Sequence, residues 1–329
     1  MSDDRRTIGA LSLAIERLPI AGEFRIARGA KTHAEVLVAS ITRDGATGRG
    51  EAVPYGRYGE TASSVLALAE AHARALAPPP DRDALRSLLP AGALRNAIDL
   101  ALHDLEARLG RPSLPREERV RSALTLSLAA PEAMAQAAAR CPGDLLKLKL
   151  AGDGHDAARL EAVHAARPEA ELWLDANEGL DEARYRAIVP LLERLPVVLL
   201  EQPFPAASDA LLRQVPRPVP ICADESLHGE TSLEALADRY DAVNVKLDKS
   251  GGLTSALAHA HTAREAGLDV VVGCMVASSL AIAPAFALTP LADFVDLDGA
   301  LFLQADREGG TRLDEEGWLL APARSLWRG

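Results

Sequence analysis

The sequence predicts an α/β protein in which an α+β domain leads into a (β/α)8 barrel. Two observations predict the barrel. From Arg119 onward, eight short runs rich in Val, Leu and Ile alternate with amphipathic, Ala-rich stretches, as repeated βα units require. Carboxylates and lysines recur at the C-terminal ends of those runs, where such a barrel gathers its chemistry. A third observation predicts the leading domain. The chain before Arg119 lacks the repeat and sets an alternating strand, Glu35–Ile41, ahead of helical stretches at Thr61–Ala75 and Ala93–Leu109.

The expected barrel strands are Ser122–Leu128, Leu145–Leu150, Leu172–Ala176, Val197–Glu201, Val219–Ala223, Ala242–Leu247, Val270–Cys274 and Phe294–Leu297, joined by helices. Their ends carry Lys147 and Lys149, then Asp175, Glu201, Asp224 and Lys246, and finally Asp296 and Asp298; the seventh strand carries none. Residues 78–80 and 110–118 read as connections, the second leading into the barrel. The tail after Asp298 has strand character and can return to the first domain. These boundaries give a first domain at residues 1–112, completed by 305–329, and a barrel at 113–304.

Of 329 residues, 48% are apolar and 25% charged, the balance of a soluble globular protein. A net charge of −11 without a long Lys or Arg run argues against nucleic acid and anionic membranes as partners. A small-molecule substrate is expected instead, and an anionic one must be met by a metal or a few placed cations. Cys141, Cys222 and Cys274 are far apart and read as reduced core residues. Residues 1–6 mix acids with arginines and carry no secretory signal. The uncharged stretch 270–292 is long enough to span a bilayer, but Gly273, Ser278, Ser279, Pro284 and Pro290 interrupt it. It is read as a buried strand and helix, and the expected compartment is the cytoplasm. Homo-oligomerisation stays open.

Asp175, Glu201 and Asp224 close three successive strands and are expected to converge on one side of the barrel mouth. Singly, such a carboxylate is ordinarily a helix cap or half of an ion pair. Three together repel, and a hard divalent cation relieves that repulsion. Mg²⁺ suits a site that leaves positions for water and substrate, with Mn²⁺ as the alternative. Lys147 and Lys149, two apart on one strand, point the same way into the mouth, and Lys246 lies across the barrel. One lysine can snorkel from a strand end to solvent. Near a metal and other ammonium groups, however, its pKa is expected to fall until it can serve as a general base. Two bases on opposite faces of one carbon can remove a proton on one side and return it on the other, which is racemisation or epimerisation. A carbon acid beside a carboxylate is very weak, so the enediolate needs a metal on the substrate carboxylate, assisted by Lys147.

The pattern Lys147-Leu148-Lys149, Asp175-Ala176-Asn177, Glu201-Gln202-Pro203, Ala223-Asp224-Glu225-Ser226 and Asn244-Val245-Lys246 resembles the muconate-lactonizing branch of the enolase superfamily over nearly the whole chain. The resemblance implies a modified TIM barrel under an α+β capping domain, with Mg²⁺ on Asp175, Glu201 and Asp224. It makes Lys149 and Lys246 the acid/base pair, and places Asn177 and Glu225 behind them to orient ligands and the second lysine. Asp296-Leu297-Asp298 is similar to the Asp-x-Asp with which dipeptide epimerases meet a free ammonium group. Residues 54–60 are similar to a loop of bacterial L-Ala-D/L-Glu epimerases, and Gly56 and Gly59 give such a lid room to move. In those relatives an arginine near the N-terminus reads the glutamate side chain. Arg28 matches it best, Arg25 and Arg57 are rivals, and any of the three could be an ordinary surface ion pair. Gly273-Cys274-Met275, with Ser278 and Ser279, is similar to the seventh strand of these epimerases. Thr125 joins Cys274 and Met275 as a candidate substrate contact. Lys249-Ser250-Gly251-Gly252 lacks Walker spacing and is read as a turn into a helix, with no catalytic role.

The resulting expectation is a Mg²⁺-dependent dipeptide epimerase interconverting L-Ala-D-Glu and L-Ala-L-Glu by two-base 1,1-proton transfer, in murein (cell wall) peptide metabolism. An N-acylamino acid racemase or o-succinylbenzoate synthase would share the metal and lysines without needing the carboxylate pair. A cycloisomerase is a further alternative. A barrel that binds a metal without catalysis is the rival from another class, and both lysines speak against it.

Overall fold

The computed structural model describes residues 5–26, 29–229 and 231–329. An antiparallel sheet comes first, with β1 (Arg5–Ile8), β2 (Leu11–Ile26), β3 (Gly29–Arg43) and β4 (Ala46–Ala52) in spatial order. The β2–β3 ribbon is far longer than the expected Glu35–Ile41 strand, at 16 and 15 residues. Its distal part was illegible because the first five residues of β3 are all exposed. Without a buried face there is no apolar alternation to read.

Helices α1 (Ala62–Ala71), α2 (Arg82–Leu88) and α3 (Ala93–Arg108) complete this domain. Thr61 and Ser64 form a capping box that starts α1. Most of α3 is buried, polar residues included, because it is wedged between β4 and the barrel. Gly48 and Gly50 permit the close approach: a Cβ on either would lie 2.2 Å from the carbonyl oxygen of Ala101 or Ala97.

After β5 (Arg119–Val120) come the eight parallel strands β6 (Leu124–Leu126), β7 (Leu145–Lys149), β8 (Glu171–Asp175), β9 (Val197–Glu201), β10 (Ile221–Ala223), β11 (Ala242–Lys246), β12 (Asp269–Gly273) and β13 (Phe294–Asp296), neighbours in chain order. A Ser122–Val295 bridge and a 2.8 Å bond from the Ala123 N–H to the Val295 carbonyl bring the ends of the sheet together. Ala123, Leu145, Trp173, Leu199, Cys222, Ala242 and Val271 fill the interior. Helices α4 (Pro131–Arg140), α5 (Asp156–Ala166), α6 (Glu182–Arg194), α7 (Leu247–Ser250), α8 (Leu253–Glu265) and α9 (Ser279–Ala285) follow strands.

Two crossovers depart from the expected helices. A 3-10 helix, Ala206–Arg213, joins β9 to β10, and among the described residues no helix lies between β10 and β11. In the first, Pro203, Pro205, Pro216, Pro218 and Pro220 bracket the segment and cannot donate to a helical ladder. The uncharged stretch folds as β12, α9 and the 3-10 turn Phe286–Leu291, and no described helix is long and apolar enough to cross a membrane. All three cysteines are free; Cys222 is buried, and Cys141 and Cys274 are half-buried.

The tail strands β14 (Arg312–Leu313) and β15 (Leu319–Leu320) pair with β5 rather than with the first sheet. Beyond them the tail docks on α3. The Trp327 indole donates to the Leu100 carbonyl at 3.1 Å, and the Arg328 N–H to Asp104 at 2.8 Å. Polar contacts, buried at Arg95 and part-buried at Asp248, seat the first domain on the barrel. Arg95 donates to the carbonyls of Ser250 and Gly251, and Asp248 accepts from the Val53 N–H and the Asn96 amide.

Candidate active site

Ladder register levels the rim of the barrel. Lys149 stands opposite Asp175 and Asp175 opposite Glu201; on the other side Lys246 stands opposite Gly273 and Gly273 opposite Asp296. Because β7 and β11 are four strands apart in the eight-strand order, Lys149 and Lys246 rise from opposite sides of the mouth. Alternation turns Lys147 and Lys149 to one face.

Lys147, 1% exposed, donates to Glu201 Oε2 at 2.6 Å and Asp296 Oδ2 at 2.7 Å, and lies 3.2 Å from Asp175 Oδ2. Its ammonium sits 4.6 Å from the centre of the Trp173 ring. Lys149 donates to Asp175 Oδ2 at 2.5 Å, and Lys246 to Asp224 Oδ2 at 2.8 Å. Glu201 also accepts from the Trp173 indole and the Asn244 amide. The Asn177 N–H donates to Asp175 Oδ1, and its amide to Glu225 at 3.4 Å.

Burial disfavours every charge here, and the neighbours decide the outcome. Burial alone would lower Lys147 and Lys246, but Asp296, Glu201 and Asp175 hold the first well above the ordinary lysine value, and Asp224 and Glu201 the second. The fall expected for these lysines is therefore reversed, since their nearest partners are carboxylates rather than other ammonium groups. Against burial, Lys149 and Lys147 hold Asp175 low, and Lys246 and Lys249 do the same for Asp224. Glu201 is pushed up to about 7 by burial and by Asp175.

Asp175 and Glu201 end β8 and β9, and Asp224 directly follows β10. Among the described residues, no group of three acidic, His or Cys side chains stands as a ready metal cage. Each oxygen of the three carboxylates points at an ammonium, amide or indole donor instead.

A cavity of about 710 Å³ lies between the barrel mouth and the first domain. From the barrel it is lined by Thr125, the three lysines, Asn177, Glu225, Cys274, Met275, Asp296 and Asp298. Asp298 accepts the Thr125 N–H at 2.6 Å and is pushed up to about 7 by burial and by Asp296. Asp296 is shared with Lys147, so the pair is less symmetric than its spacing suggests.

The three arginine candidates fare differently. Phe24 and Ile26 line the cavity, and strand alternation turns Arg25 to the other face, where it pairs with Glu23 at 2.6 Å. Arg25 is thereby removed as a substrate contact. Arg57 lines the cavity but makes a two-pronged bond to Glu178, both contacts 2.8 Å. Arg28 lies outside the described residues.

Four site residues carry no site role in the sequence reading. Lys31 lines the cavity with its ammonium 5.4 Å from the centre of the Tyr55 ring. Lys249, dismissed as part of a turn, is 2% exposed and donates to the Asp224 carbonyl at 2.5 Å and to Asp224 Oδ1 at 2.6 Å. Trp173 and Asn244 hold Glu201. Signals were present: Trp173 and Asn244 each precede a strand-end polar residue by two, on the same inward face, and Lys249 follows Lys246 by one helical turn.

Comparison with known proteins places the fold. Residues 11–115 match the mandelate racemase / muconate lactonizing enzyme N-terminal domain, and residues 129–324 the enolase C-terminal domain-like family. The chain is 43% identical over 303 residues to the L-Ala-D/L-Glu epimerase of Escherichia coli, covering 89% of this chain and 94% of that one. It is 42% identical over 270 residues to an N-acetyl-D-glutamate racemase from Pseudoalteromonas, covering 79% and 85%. A solved enolase family member from Agrobacterium tumefaciens with homology to dipeptide epimerases, holding sodium and L-Ala-L-Glu, matches at 42% identity and a TM-score of 0.90 over 96% and 99% of the two chains. A Methylococcus capsulatus dipeptide epimerase complexed with Mg and L-Arg-D-Lys matches at 31% identity and a TM-score of 0.86 over 98% and 99%. With both parts of its fold matched and nearly its full length aligned, the chain belongs to the mandelate racemase / muconate lactonizing branch of the enolase superfamily, as an epimerase of dipeptides or amino-acid derivatives.

Proposed function

We propose that this epimerase interconverts L-Ala-D-Glu and L-Ala-L-Glu, dipeptides of murein metabolism, by moving the α-proton of the second residue between Lys149 and Lys246. The observation that carries the reading is the placement of these two lysines on opposite sides of one cavity, each tied to a different carboxylate. One lysine takes the proton from one face of the carbon; the other returns a proton to the opposite face. Lys147, one inward-facing position deeper than Lys149 on the same strand, donates to the carboxylate oxygen on which charge develops.

Asp175, Glu201 and Asp224 fit a hard divalent cation. They are buried and offer oxygen alone, and burial together with repulsion from Asp175 pushes Glu201 up to about 7. Mg²⁺ held by these three would stabilise negative charge on the substrate carboxylate, with Mn²⁺ as an alternative ion. Asn177 and Glu225 sit behind this set. Asp298, with Asp296, faces the substrate ammonium, while Thr125, Cys274 and Met275 border the same end. Lys31 meets the side-chain carboxylate from above. Arg57 and Glu178 tie the capping loop to the barrel at the edge of the cavity, where they would close over a bound dipeptide.

An N-acylglutamate is the second substrate reading, favoured by the sharing of Asp296 with Lys147 and by the 42% identical N-acetyl-D-glutamate racemase. Incubating L-Ala-L-Glu and N-acetylglutamate separately in deuterated water, with Mg²⁺, distinguishes them by mass and chiral chromatography. Deuterium is expected at the glutamate α-carbon of the dipeptide, and Lys149→Ala and Lys246→Ala should each fold yet lose epimerisation. Faster turnover of the N-acyl substrate overturns the dipeptide assignment, and full turnover in either variant overturns the base assignment.

A further inference from the structure

Glu51, at the end of β4, is wholly buried and reaches out of the capping domain to the loop that follows β12. Its Oε1 accepts the Ser278 N–H at 2.8 Å, and its Oε2 accepts the Ser278 hydroxyl at 2.6 Å. Arg307, from the C-terminal tail, closes the cluster. It donates to Glu51 Oε2 through two nitrogens, at 2.6 and 3.1 Å, to the Ser278 hydroxyl at 2.6 Å, and to Glu16 on β2 at 2.9 Å. Three stretches far apart in sequence thus meet at Ser278, which also caps α9.

The segment leading to Ser278 is part of the cavity wall: Cys274, Met275 and Val276 line it beside Asp298 and Gly299. The fit there is tight. A Cβ on Gly299 would lie 2.2 Å from the Met275 carbonyl oxygen and 2.9 Å from the Cys274 sulfur, so the loop packs directly on the backbone that carries Asp298. A shift of the loop at Ser278 must be absorbed at Asp298 or open a gap at Cys274.

We propose that Glu51 is a positioning residue: by clamping Ser278 with Arg307, the capping domain fixes the 274–277 loop against Asp298 and so sets the amine end of the substrate site. Seating of the capping domain and substrate affinity are thereby joined through a carboxylate that touches no substrate. The proposal rests on this cavity being the substrate site, not on which dipeptide or acyl derivative occupies it.

The test compares wild type with Glu51→Gln, which keeps the shape of the side chain but not its charge, and with Ser278→Ala, which keeps the N–H but not the hydroxyl. Cys274 alkylation by iodoacetamide is followed by peptide mass spectrometry without substrate, with the half-buried Cys141 as internal control. Glu51→Gln should label Cys274 about tenfold faster with Cys141 unchanged, and raise KM about tenfold with kcat within about twofold, as expected for loss of one charge-assisted hydrogen bond. Ser278→Ala should move both readouts the same way by less, and it alone decides if Glu51→Gln does not fold. An unchanged Cys274 rate, Cys141 rising in step with Cys274, or a fall in kcat at constant KM would overturn the proposal. Since labelling needs no substrate, an error in the dipeptide assignment leaves that arm standing.

Discussion

Replacing Lys147 by Met removes an ammonium group from among three carboxylates while keeping an unbranched stem of similar length over Trp173. Lys147 is fully buried and touches Glu201 and Asp296 at 2.6 and 2.7 Å, with Asp175 at 3.2 Å. Removing one member of a buried ion pair costs about 3–5 kcal/mol, because the partner charge stays buried without compensation. The lost cation–π contact with Trp173 adds about 1–2 kcal/mol to that, while Lys149 still holds Asp175 and Asn244 still holds Glu201. The expected loss, without added metal, is therefore about 4–7 kcal/mol in urea unfolding followed by circular dichroism at pH 7. Saturating Mg²⁺ should shrink the deficit, since a cation bound by Asp175, Glu201 and Asp224 neutralises two of the three carboxylates that Lys147 met and stabilises the fold that binds it. A deficit below about 1 kcal/mol would refute the burial argument, and a deficit indifferent to Mg²⁺ would refute the metal assignment.

The remaining predictions concern the seam and the cavity. Asp248 is half-buried between Val53 and Asn96, and its folded-state pKa is raised from 3.8 to about 6 by its partial burial, despite those two donors. A carboxyl whose pKa rises on folding adds stability below the unfolded value that is lost as pH climbs through the folded one. Wild type should therefore lose roughly 3 kcal/mol between about pH 4 and pH 6 from this group, and Asp248→Asn should flatten that slope in urea titrations across the range. An identical slope in both proteins would show that Asp248 does not titrate there. Arg25→Ala should leave KM unchanged, because the side chain points away from the cavity toward Glu23; a rise in KM would return it to the substrate site. Lys31→Met should raise KM for L-Ala-L-Glu about tenfold while sparing dipeptides with uncharged side chains, and equal effects on both would show that Lys31 does not read the side chain.

Which parts were legible in the sequence follows from how far apart the partners stand along it. Barrel strands announce themselves locally, through an apolar run and a charged end, and the strand ends carrying Lys149, Asp175, Glu201 and Lys246 were placed within a residue of their observed positions. Chemistry written at the end of one strand could be read one strand at a time. Arg25 is also legible locally: period-two alternation from Phe24 and Ile26 turns it outward. Charged groups that bind across the fold carry no such local mark. Glu51 and Ser278 are 227 positions apart, and Glu51 and Arg307 256. In sequence Glu51 is an acid near a strand end and Ser278 a helix cap, and nothing within either segment marks the other as its partner. The same distance hides the reversal at Lys147 and Lys246. A strand-by-strand reading counts neighbouring ammonium groups and predicts lowered pKa values, whereas closure of the sheet sets carboxylates from other strands against both lysines. The identities of the proposed acid/base groups are thus local information, but their charge states belong to the assembled ring, and that is where a metal ion, by competing with the lysines for the same oxygens, would act on them.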